Sequence, residues 1–544
     1  MKKIILVQPP VEDFYDTEVR LQPIGLAYLK SALKVQHPDI ECVVMDFHTG
    51  RGRQTIKIPK ELSYLKDYYA IKDESPFSSF FNYFRFGESL EKMTQEILDK
   101  NPDLVGISSL FSPYYREVLT LVSALKSAKP DLIIVLGGSH VSACPELMLA
   151  HEGVDFIITG EGEIPLVQLV SCLKSFRDYR AIPQLGYKAG QKLHINPAGE
   201  NLDLQRFPIP DFSDLNPDLY RYEGKKICFL VTSRSCPHRC SFCSVHTTFG
   251  TSYRRRSVQS VLDEIDARIL EGYQAIDFED DNLSFYQTEF REILNAIISR
   301  YGERKIRLMA MNGISYISLN QDLLELMYRA GFTNLNLALV SSDKAVRETT
   351  KRPHTLEKFE TVLDTSVKIG LSVIAYQILG LPSESLASMI QTLAYLGSKP
   401  VNIGVSTFYL TPSSPIAKNF APRSEKDIFL ARSSAMAITS DEISRSSLYT
   451  LFVTARILNF LKSLPIQNSI SLESLLESWN SEQPRQNLGI ELLRILHQEN
   501  KLILASKNGS RHVQPGFSFP VYEQVLNQIV SVPTQAGGSI FLHH

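Results

Sequence analysis

The sequence predicts an α/β protein: a doubly wound N-terminal domain over residues 1–180, a connection at 181–226, a partial (β/α)6 barrel at 227–415 and a mainly helical domain at 416–544. Three observations carry this. Short β-branched runs alternate with helical patterns from residue 3 to 180, the alternation stops in a proline-bearing stretch, and it then restarts and can be counted six times before fading past Pro415.

In the first domain the strand runs are 4–7, 42–46, 104–108, 132–136 and 156–158, with helical patterns at 25–35, 90–99, 116–128 and 164–176 between them. Such alternation gives a parallel sheet with helices on both faces, which binds ligands beyond the carboxyl ends of its strands. Two of those ends are rich in small residues. Gly106-Ile-Ser-Ser-Leu110 and Gly137-Gly-Ser-His140, with 26 residues between them, read either as a cradle for a flat or bulky ligand or as the tight turns of any doubly wound domain. Thr159-Gly-Glu-Gly-Glu163 reads as a turn and helix start. Pro183, Pro197, Pro208, Pro210 and Pro217 mark the connection, in which Phe207-Pro-Ile-Pro-Asp211 is expected to be extended and packed.

Barrel strands are expected at 227–232, 275–278, 306–309, 335–340, 372–378 and 402–408, with helices at 257–271, 288–300, 321–329, 355–369 and 386–396. Six repeats fall short of a closed eight-stranded barrel, which takes about 250 residues. Beyond Pro415, residues 428–438 and 448–464 have helical spacing. The last eighty residues, which hold the one tryptophan, Trp479, show no pattern.

Composition narrows the function. With 57 basic against 59 acidic side chains, nothing points to nucleic acid or an acidic membrane as partner, and a small-molecule substrate is expected. The N-terminal apolar run is too short for a signal peptide before Pro9-Pro10, and no segment nears the ~18 apolar residues of a membrane span. A cytoplasmic protein follows. Seven cysteines, odd in number, do not form a disulfide framework; Cys42, Cys144, Cys172 and Cys228 sit among apolar neighbours as core residues.

The other three cysteines lie within eight residues, in Ser235-Cys-Pro-His-Arg-Cys-Ser-Phe-Cys-Ser244, on the loop leaving the first barrel strand. Thiolates at this density bind zinc or an iron–sulfur cluster. His246 can complete a zinc set with Cys236, Cys240 and Cys243, although zinc knuckles usually pair C-x2-C units and the spacing here is Cys-x3-Cys-x2-Cys.

That spacing, with Phe242 before the last thiol and six βα repeats behind it, resembles the radical S-adenosylmethionine (SAM) superfamily. The resemblance implies that Cys236, Cys240 and Cys243 hold a [4Fe-4S] cluster whose fourth iron is open to SAM. It also implies an external one-electron reductant of flavodoxin or ferredoxin type, anaerobic chemistry and a 5′-deoxyadenosyl radical. SAM contacts carried over by position are Phe242; Glu279, Asp280, Asp281 and Asn282, where relatives have Gly-Gly-Glu; Asn312; Ser341, where relatives often have Glu nearby; and Gly380 in the loop beside the adenine.

Residues 1 to about 415 further resemble the class with an N-terminal cobalamin-binding domain of Rossmann or flavodoxin-like type. There Ser108, Ser109, Leu110, Gly137, Gly138, Gly160 and Glu161 fall at the cobalamin site. The Asp-x-His-x-x-Gly motif that ligates cobalt in other cobalamin domains is missing after the first strand; Asp46-Phe-His-Thr-Gly50 follows the second strand and is one residue short, so base-off binding without His48 is expected. The class implies a methyltransferase acting on an unactivated carbon through the radical and methylcobalamin. Cobalamin-dependent oxidative cyclisation or ring rearrangement is the alternative within the class, and a zinc-stapled ligand-binding protein the alternative outside it. No residue pattern identifies the substrate, which is expected between the cobalamin domain and the barrel, with the tail lining or covering the mouth.

Overall fold

The computed structural model describes residues 1–175, 177–206, 208–421 and 424–543. The helix end expected at Phe176 and the start of the extended segment at Phe207 lie outside the described residues.

Lys3–Gln8, Glu41–Asp46, Leu104–Ser108, Ile133–Gly137 and Phe156–Ile158 form a parallel sheet in which Lys3–Gln8 lies between Glu41–Asp46 and Leu104–Ser108. In chain order this is the 2-1-3-4-5 winding of flavodoxin-like sheets, whose ligand crevice opens where the winding reverses. That switch point lies between Lys3–Gln8 and Leu104–Ser108. Helices Ile24–Gln36 and Glu163–Ser175 pack together, as do Leu90–Asp99 and Tyr115–Ala128.

Two features depart from the sequence expectation. Leu185–Ala189 and Lys192–Ile195, within the stretch read as a connection, form an antiparallel hairpin that extends the sheet past Phe156–Ile158. Gly190 turns it at φ +61°, and Tyr187 stacks on His194 across the pair with ring centroids 5.2 Å apart. Val11–Asp13, just past the first strand, joins Arg53–Ile56 and Tyr83–Phe86, from an insertion before Leu90, in a small antiparallel sheet. Its aromatic residues pack on Phe14 and Tyr15.

The six barrel strands, Lys225–Leu230, Ala275–Phe278, Arg307–Met309, Asn334–Val340, Ser372–Leu379 and Asn402–Thr407, run parallel in two groups of three. Isolated bridges Leu308 to Phe332 and Ile314 to Leu337 span the split, and the barrel does not close. Its last strand would leave an unpaired edge. Tail helix Arg445–Ser463 covers it: Asn459 both accepts from the Ile403 N–H and donates to the Ile403 carbonyl, each at 2.8 Å.

The tail differs from the reading in detail. The helix expected at 428–438 is a short helix, Glu425–Phe429, and a single 3-10 turn, Ser433–Ala435. Between them the buried Arg432 side chain takes the carbonyl of Phe429 and reaches Asp13 at 3.3 Å, and Met436 turns the chain at φ +44°. Two small sheets accompany the helices. Among the described residues no helix is long and apolar enough to cross a membrane.

Candidate functional site

The thiol loop is built at the end of the first barrel strand. Ser233–Arg234 pairs with Arg254–Arg255 and pinches off residues 235–253. Asp280, fully buried after the second strand, accepts from the Thr232 N–H at 3.1 Å, the Thr232 hydroxyl at 2.6 Å and the Ser233 hydroxyl at 2.5 Å. Asp281 accepts from the Ser235 N–H at 3.1 Å, and Ser235 itself sits at φ +75°. The loop also joins the far side of the barrel, since the Ser241 N–H donates to Thr350 and its carbonyl accepts from Ile416.

Two N–H donors are aimed at sulfur. Asn282 Nδ2 lies 3.5 Å from Cys236 Sγ, and an Arg352 guanidinium nitrogen lies 3.7 Å from Cys240 Sγ. Burial raises the Cys236 thiol, so metal binding must displace its proton, while Cys243 is exposed. His246 points its Nε2 at the Cys236 carbonyl, 2.7 Å away, and that nitrogen is a donor, not a zinc ligand. Among the described residues no three His, Cys, Asp or Glu side chains converge closely enough for a single ion. Zinc, with Zn–S near 2.3 Å, needs such convergence; an iron–sulfur cube spreads its thiolates farther apart. Three thiols without a fourth ligand, with N–H donors on two of them, fit an open-sited cluster.

The three acids and the amide after the second strand divide. Glu279 and Asp281 line the space beside the thiols, Asp280 is spent on the strand behind the loop, and Asn282 faces Cys236 with its Oδ1 buried and unpartnered. Burial and the neighbouring Asp280 carboxylate hold Asp281 up at about 7. Arg20, from the N-terminal domain, pairs with Asp277 and, at 3.1 Å, with Glu279. Asn312 lines the same space and donates to the Glu279 carbonyl at 3.4 Å. Ser341, expected at the ribose, has its hydroxyl fully buried between Glu384 and Thr392, 3.3 Å from each. Gly380, at φ +81°, packs against the tail helix, where a Cβ would stand 3.3 Å from Leu448. Phe242 packs beside Val340, Leu381, Phe408 and Ile416. Val340 has φ +74°, a left-handed conformation that a β-branched residue adopts only under constraint from its surroundings.

On the opposite wall, Ser108 and Gly137 are paired neighbours at the ends of their strands. The Ser109 N–H donates to Gly137 at 2.8 Å, and Gly138, at φ +112°, brings the backbone so close that a Cβ would lie 2.6 Å from the Ser109 carbonyl. At Gly160, φ +65°, the atom 2.5 Å from where a Cβ would be is the amide end of the Gln184 side chain, which can move aside, so there the positive φ is the tighter constraint. Ser108, Leu110, Gly137, Gly138 and Gly160 line a cavity of about 270 Å³ roofed by Arg234, Thr248 and Phe249 of the thiol loop. The Ser109 hydroxyl is buried and unpartnered, and Leu110 is 38% exposed. A glycine floor with an apolar lip fits a flat macrocycle. Glu161 is at this cavity, but its carboxylate is taken by Arg234 at 2.5 Å and Arg254 at 2.8 Å, which lock the two walls together. His48 is fully buried, with its ring nitrogens at the carbonyls of Phe86 and Val19.

This cavity runs into a chamber of about 1040 Å³ that shares Leu110, Thr248, Phe249, Glu279 and Asp281 with it and includes Cys243. Other walls come from the insertion, through Phe80 and Phe81, and from the tail, through Arg432, Phe452 and Arg456. Sequence reasoning missed these residues and also Arg352. Arg234 and Arg254 carried a usable signal, as basic residues bracketing the cysteine run; the tail and insertion residues carried none.

Two family models match the chain: the B12 binding domain over residues 83–170 and the Radical SAM superfamily over residues 230–396. An uncharacterized methyltransferase of Pyrococcus horikoshii is 25% identical over 418 residues, covering 76% of this chain and 81% of that protein. Cytidylyl-2-hydroxyethylphosphonate methyltransferase of Streptomyces wedmorensis is 24% identical, covering 70% and 73%. The anaerobic magnesium-protoporphyrin IX monomethyl ester cyclase of Rubrivivax gelatinosus is 26% identical, covering 56% of each chain. Among solved structures, the radical SAM methyltransferase TsrM of Kitasatospora setae, with cobalamin and a [4Fe-4S] cluster bound, aligns with TM-score 0.60 at 18% identity over 77% of this chain and 78% of that one. The cobalamin-dependent SAM radical enzyme OxsB aligns with TM-score 0.63 at 14% identity over 97% and 78%. The structural likenesses speak for the fold, and the two family models, matched in this order on the glycine-floored sheet and the thiol-bearing barrel, make the chain an enzyme of the radical SAM superfamily with a B12-binding domain ahead of its radical SAM domain.

Proposed function

We propose that this enzyme is a cobalamin-dependent methyltransferase acting on an unactivated carbon of a small molecule. The observation that carries the reading is the shared space: the thiol loop and the glycine floor open onto one chamber through Leu110, Thr248, Phe249, Glu279 and Asp281. When bound there, a [4Fe-4S] cluster with SAM supplies one-electron generation of a carbon radical, and cobalamin supplies a methyl carrier. In this reading the N-terminal sheet with its hairpin, through residue 195, is the cobalamin unit, the strands from 225 to 407 are the radical SAM unit, and the tail is a cover.

The chain's own residues do the rest. Cys236, Cys240 and Cys243 hold the cluster, while Asn282 and Arg352 donate to two of the sulfurs. Glu279 and Asp281 offer carboxylates to an ammonium group at the chamber wall. Phe249, Phe80 and Phe452 exclude water, which would otherwise quench a reactive carbon centre. Electrons come from an external reductant of flavodoxin or ferredoxin type.

Oxidative cyclisation is the second reading, supported by the cyclase relatives. Products separate the two: methylation releases S-adenosylhomocysteine together with 5′-deoxyadenosine, and cyclisation releases only the latter. The test is anaerobic purification with metal analysis and EPR. About four irons per chain and a signal perturbed by SAM are expected, whereas stoichiometric zinc without iron overturns both readings. Cys240→Ala is expected to abolish 5′-deoxyadenosine formation, and undiminished product from that variant refutes the cluster assignment.

A further inference from the structure

Four basic side chains line the chamber. Arg20 is paired with Asp277 and Glu279, Lys72 with Glu74 at 3.3 Å, and Arg432 with Asp13 at 3.3 Å. Arg456 has no ion-pair partner among the described residues. Its guanidinium donates to the Ser78 carbonyl and lies 5.9 Å and 4.8 Å from the ring centroids of Phe80 and Phe452. Burial lowers its proton affinity from the ordinary value. Of the chamber acids, Asp16, whose charge reaches Arg456, pairs with Arg53 at 3.2 Å, and Glu18, Asp73 and Asp281 accept backbone N–H bonds from Gly50, Ala505 and Ser235. A largely desolvated cation without a direct ion-pair partner is unfavourable until something supplies one.

A second observation bears on what that is. Arg456 lines both the chamber and an open groove of about 590 Å³ between barrel strand Asn402–Thr407, the tail helix and the start of helix Pro484–Glu499. Chamber and groove share Val405, Phe452 and Arg456. Among the described residues, the charged ones lining the groove are Arg456 and Arg485, and none is acidic. An entrance of one sign concentrates ligands of the opposite sign. Beyond Arg456 the chamber presents partly exposed apolar surface: Leu110, Phe111 and Tyr409 are each 38–39% exposed.

We propose that the chamber's substrate is a small molecule with an oxyanion group on an apolar ring or chain, which enters along this groove, is held at its anionic end by Arg456 and lays its apolar body toward Leu110, Phe111 and Tyr409. This deepens the function proposed above and rests on it only in taking the chamber as the substrate's.

The test uses 2-naphthoate and its neutral counterpart 2-naphthamide as probes, with equilibrium binding to the purified full chain measured by titration calorimetry. Naphthoate is expected to bind at least about tenfold more tightly, the scale of one charge-assisted hydrogen bond. Arg456→Gln is expected to erase that preference while naphthamide binding persists, Arg456→Lys to restore part of it, and Arg485→Gln to weaken naphthoate more at low salt than at high salt. Equal binding of the two probes by the unmodified chain, or a naphthoate preference that survives Arg456→Gln, overturns the proposal. If Arg456→Gln does not fold, as read by its melting curve, the Arg456→Lys and Arg485→Gln responses decide in its place. The measurement needs neither cluster nor SAM. Iron content and 5′-deoxyadenosine formation on the same preparation therefore judge the reaction separately.

Discussion

Replacing Asp280 by Asn distinguishes a residue that shapes the thiol loop from one that binds SAM. Its carboxylate is fully buried and collects the Thr232 N–H, the Thr232 hydroxyl and the Ser233 hydroxyl within 3.1 Å, directly ahead of Ser235 and Cys236. Hydrogen bonds to a charged acceptor contribute about 1.5–3 kcal/mol each. Both hydroxyls fall on Oδ1 and the Thr232 N–H reaches both oxygens, so asparagine keeps the hydroxyl bonds but sets an NH2 group against the Thr232 N–H and removes the charge the bonds are made to, at a cost of about 1.5–3 kcal/mol. That energy falls on the segment fixing the first thiol. The assay is iron per chain and EPR after anaerobic reconstitution, with SAM binding measured on whatever cluster forms. Asp280→Asn is expected to lower iron content severalfold. A variant that loads iron like the unmodified chain but loses the SAM-induced EPR change refutes the argument and returns Asp280 to the SAM site.

Two other perturbations address separate walls. Gly138→Ala places a Cβ 2.6 Å from the Ser109 carbonyl at φ +112°, and the expected result is loss of cobalamin absorbance with iron content retained; unchanged cobalamin uptake places the cofactor elsewhere. Glu384, buried beside Ser341 and the Leu381 N–H, is pushed up to about 8 from the ordinary 4.5. A carboxyl raised in the folded state binds more protons folded than unfolded, so its contribution is full below the unfolded value and is lost as pH rises through about 8. Urea midpoints of Glu384→Gln should therefore gain on those of the unmodified chain between pH 5 and 8, then run parallel, and a gap independent of pH refutes the burial argument.

Residue order alone showed the repeats because each strand here is a short apolar run bounded by a helix of different period, and Phe156–Ile158 and Leu90–Asp99 fall where the pattern put them. The hairpin at Leu185–Ile195 escaped notice because Pro183 and Pro197 flank it, although Gly190 between alternating segments was a turn signal. Spacing placed Glu279 to Asn282 at the barrel mouth but could not say which side chains turn inward; that depends on Thr232 and Ser233, 46 or more residues earlier. The expected helix at 428–438 failed for a related reason. Its register was helical, but Arg432 is drawn to Asp13 in another part of the chain.

The division of labour among the chamber's walls bears on why methyltransferases and cyclases both resemble this chain. The glycine floor and thiol loop, from Ser108 to Glu161 and from Thr232 to Asn282, lie within or beside the spans matched by the two family models. Phe80, Phe81, Tyr409, Arg432, Phe452 and Arg456 lie outside both spans, in the insertion and the tail. These outer parts are fastened to one another: Tyr64 and Tyr69 donate to the carbonyls of Ala435 and Ser434, and Arg432 donates to Glu12 and Pro113 of the N-terminal domain. The same tail protects the exposed edge of the barrel through Asn459 and, through Lys462, satisfies the carbonyls of Leu396, Lys399 and Val401. An open six-stranded barrel needs such a cover for stability alone. Once the cover is anchored at the edge, its chamber-facing side chains can vary without disturbing the glycine floor and thiol loop, so on the function proposed above substrate choice falls to a part of the chain whose retention the fold already requires.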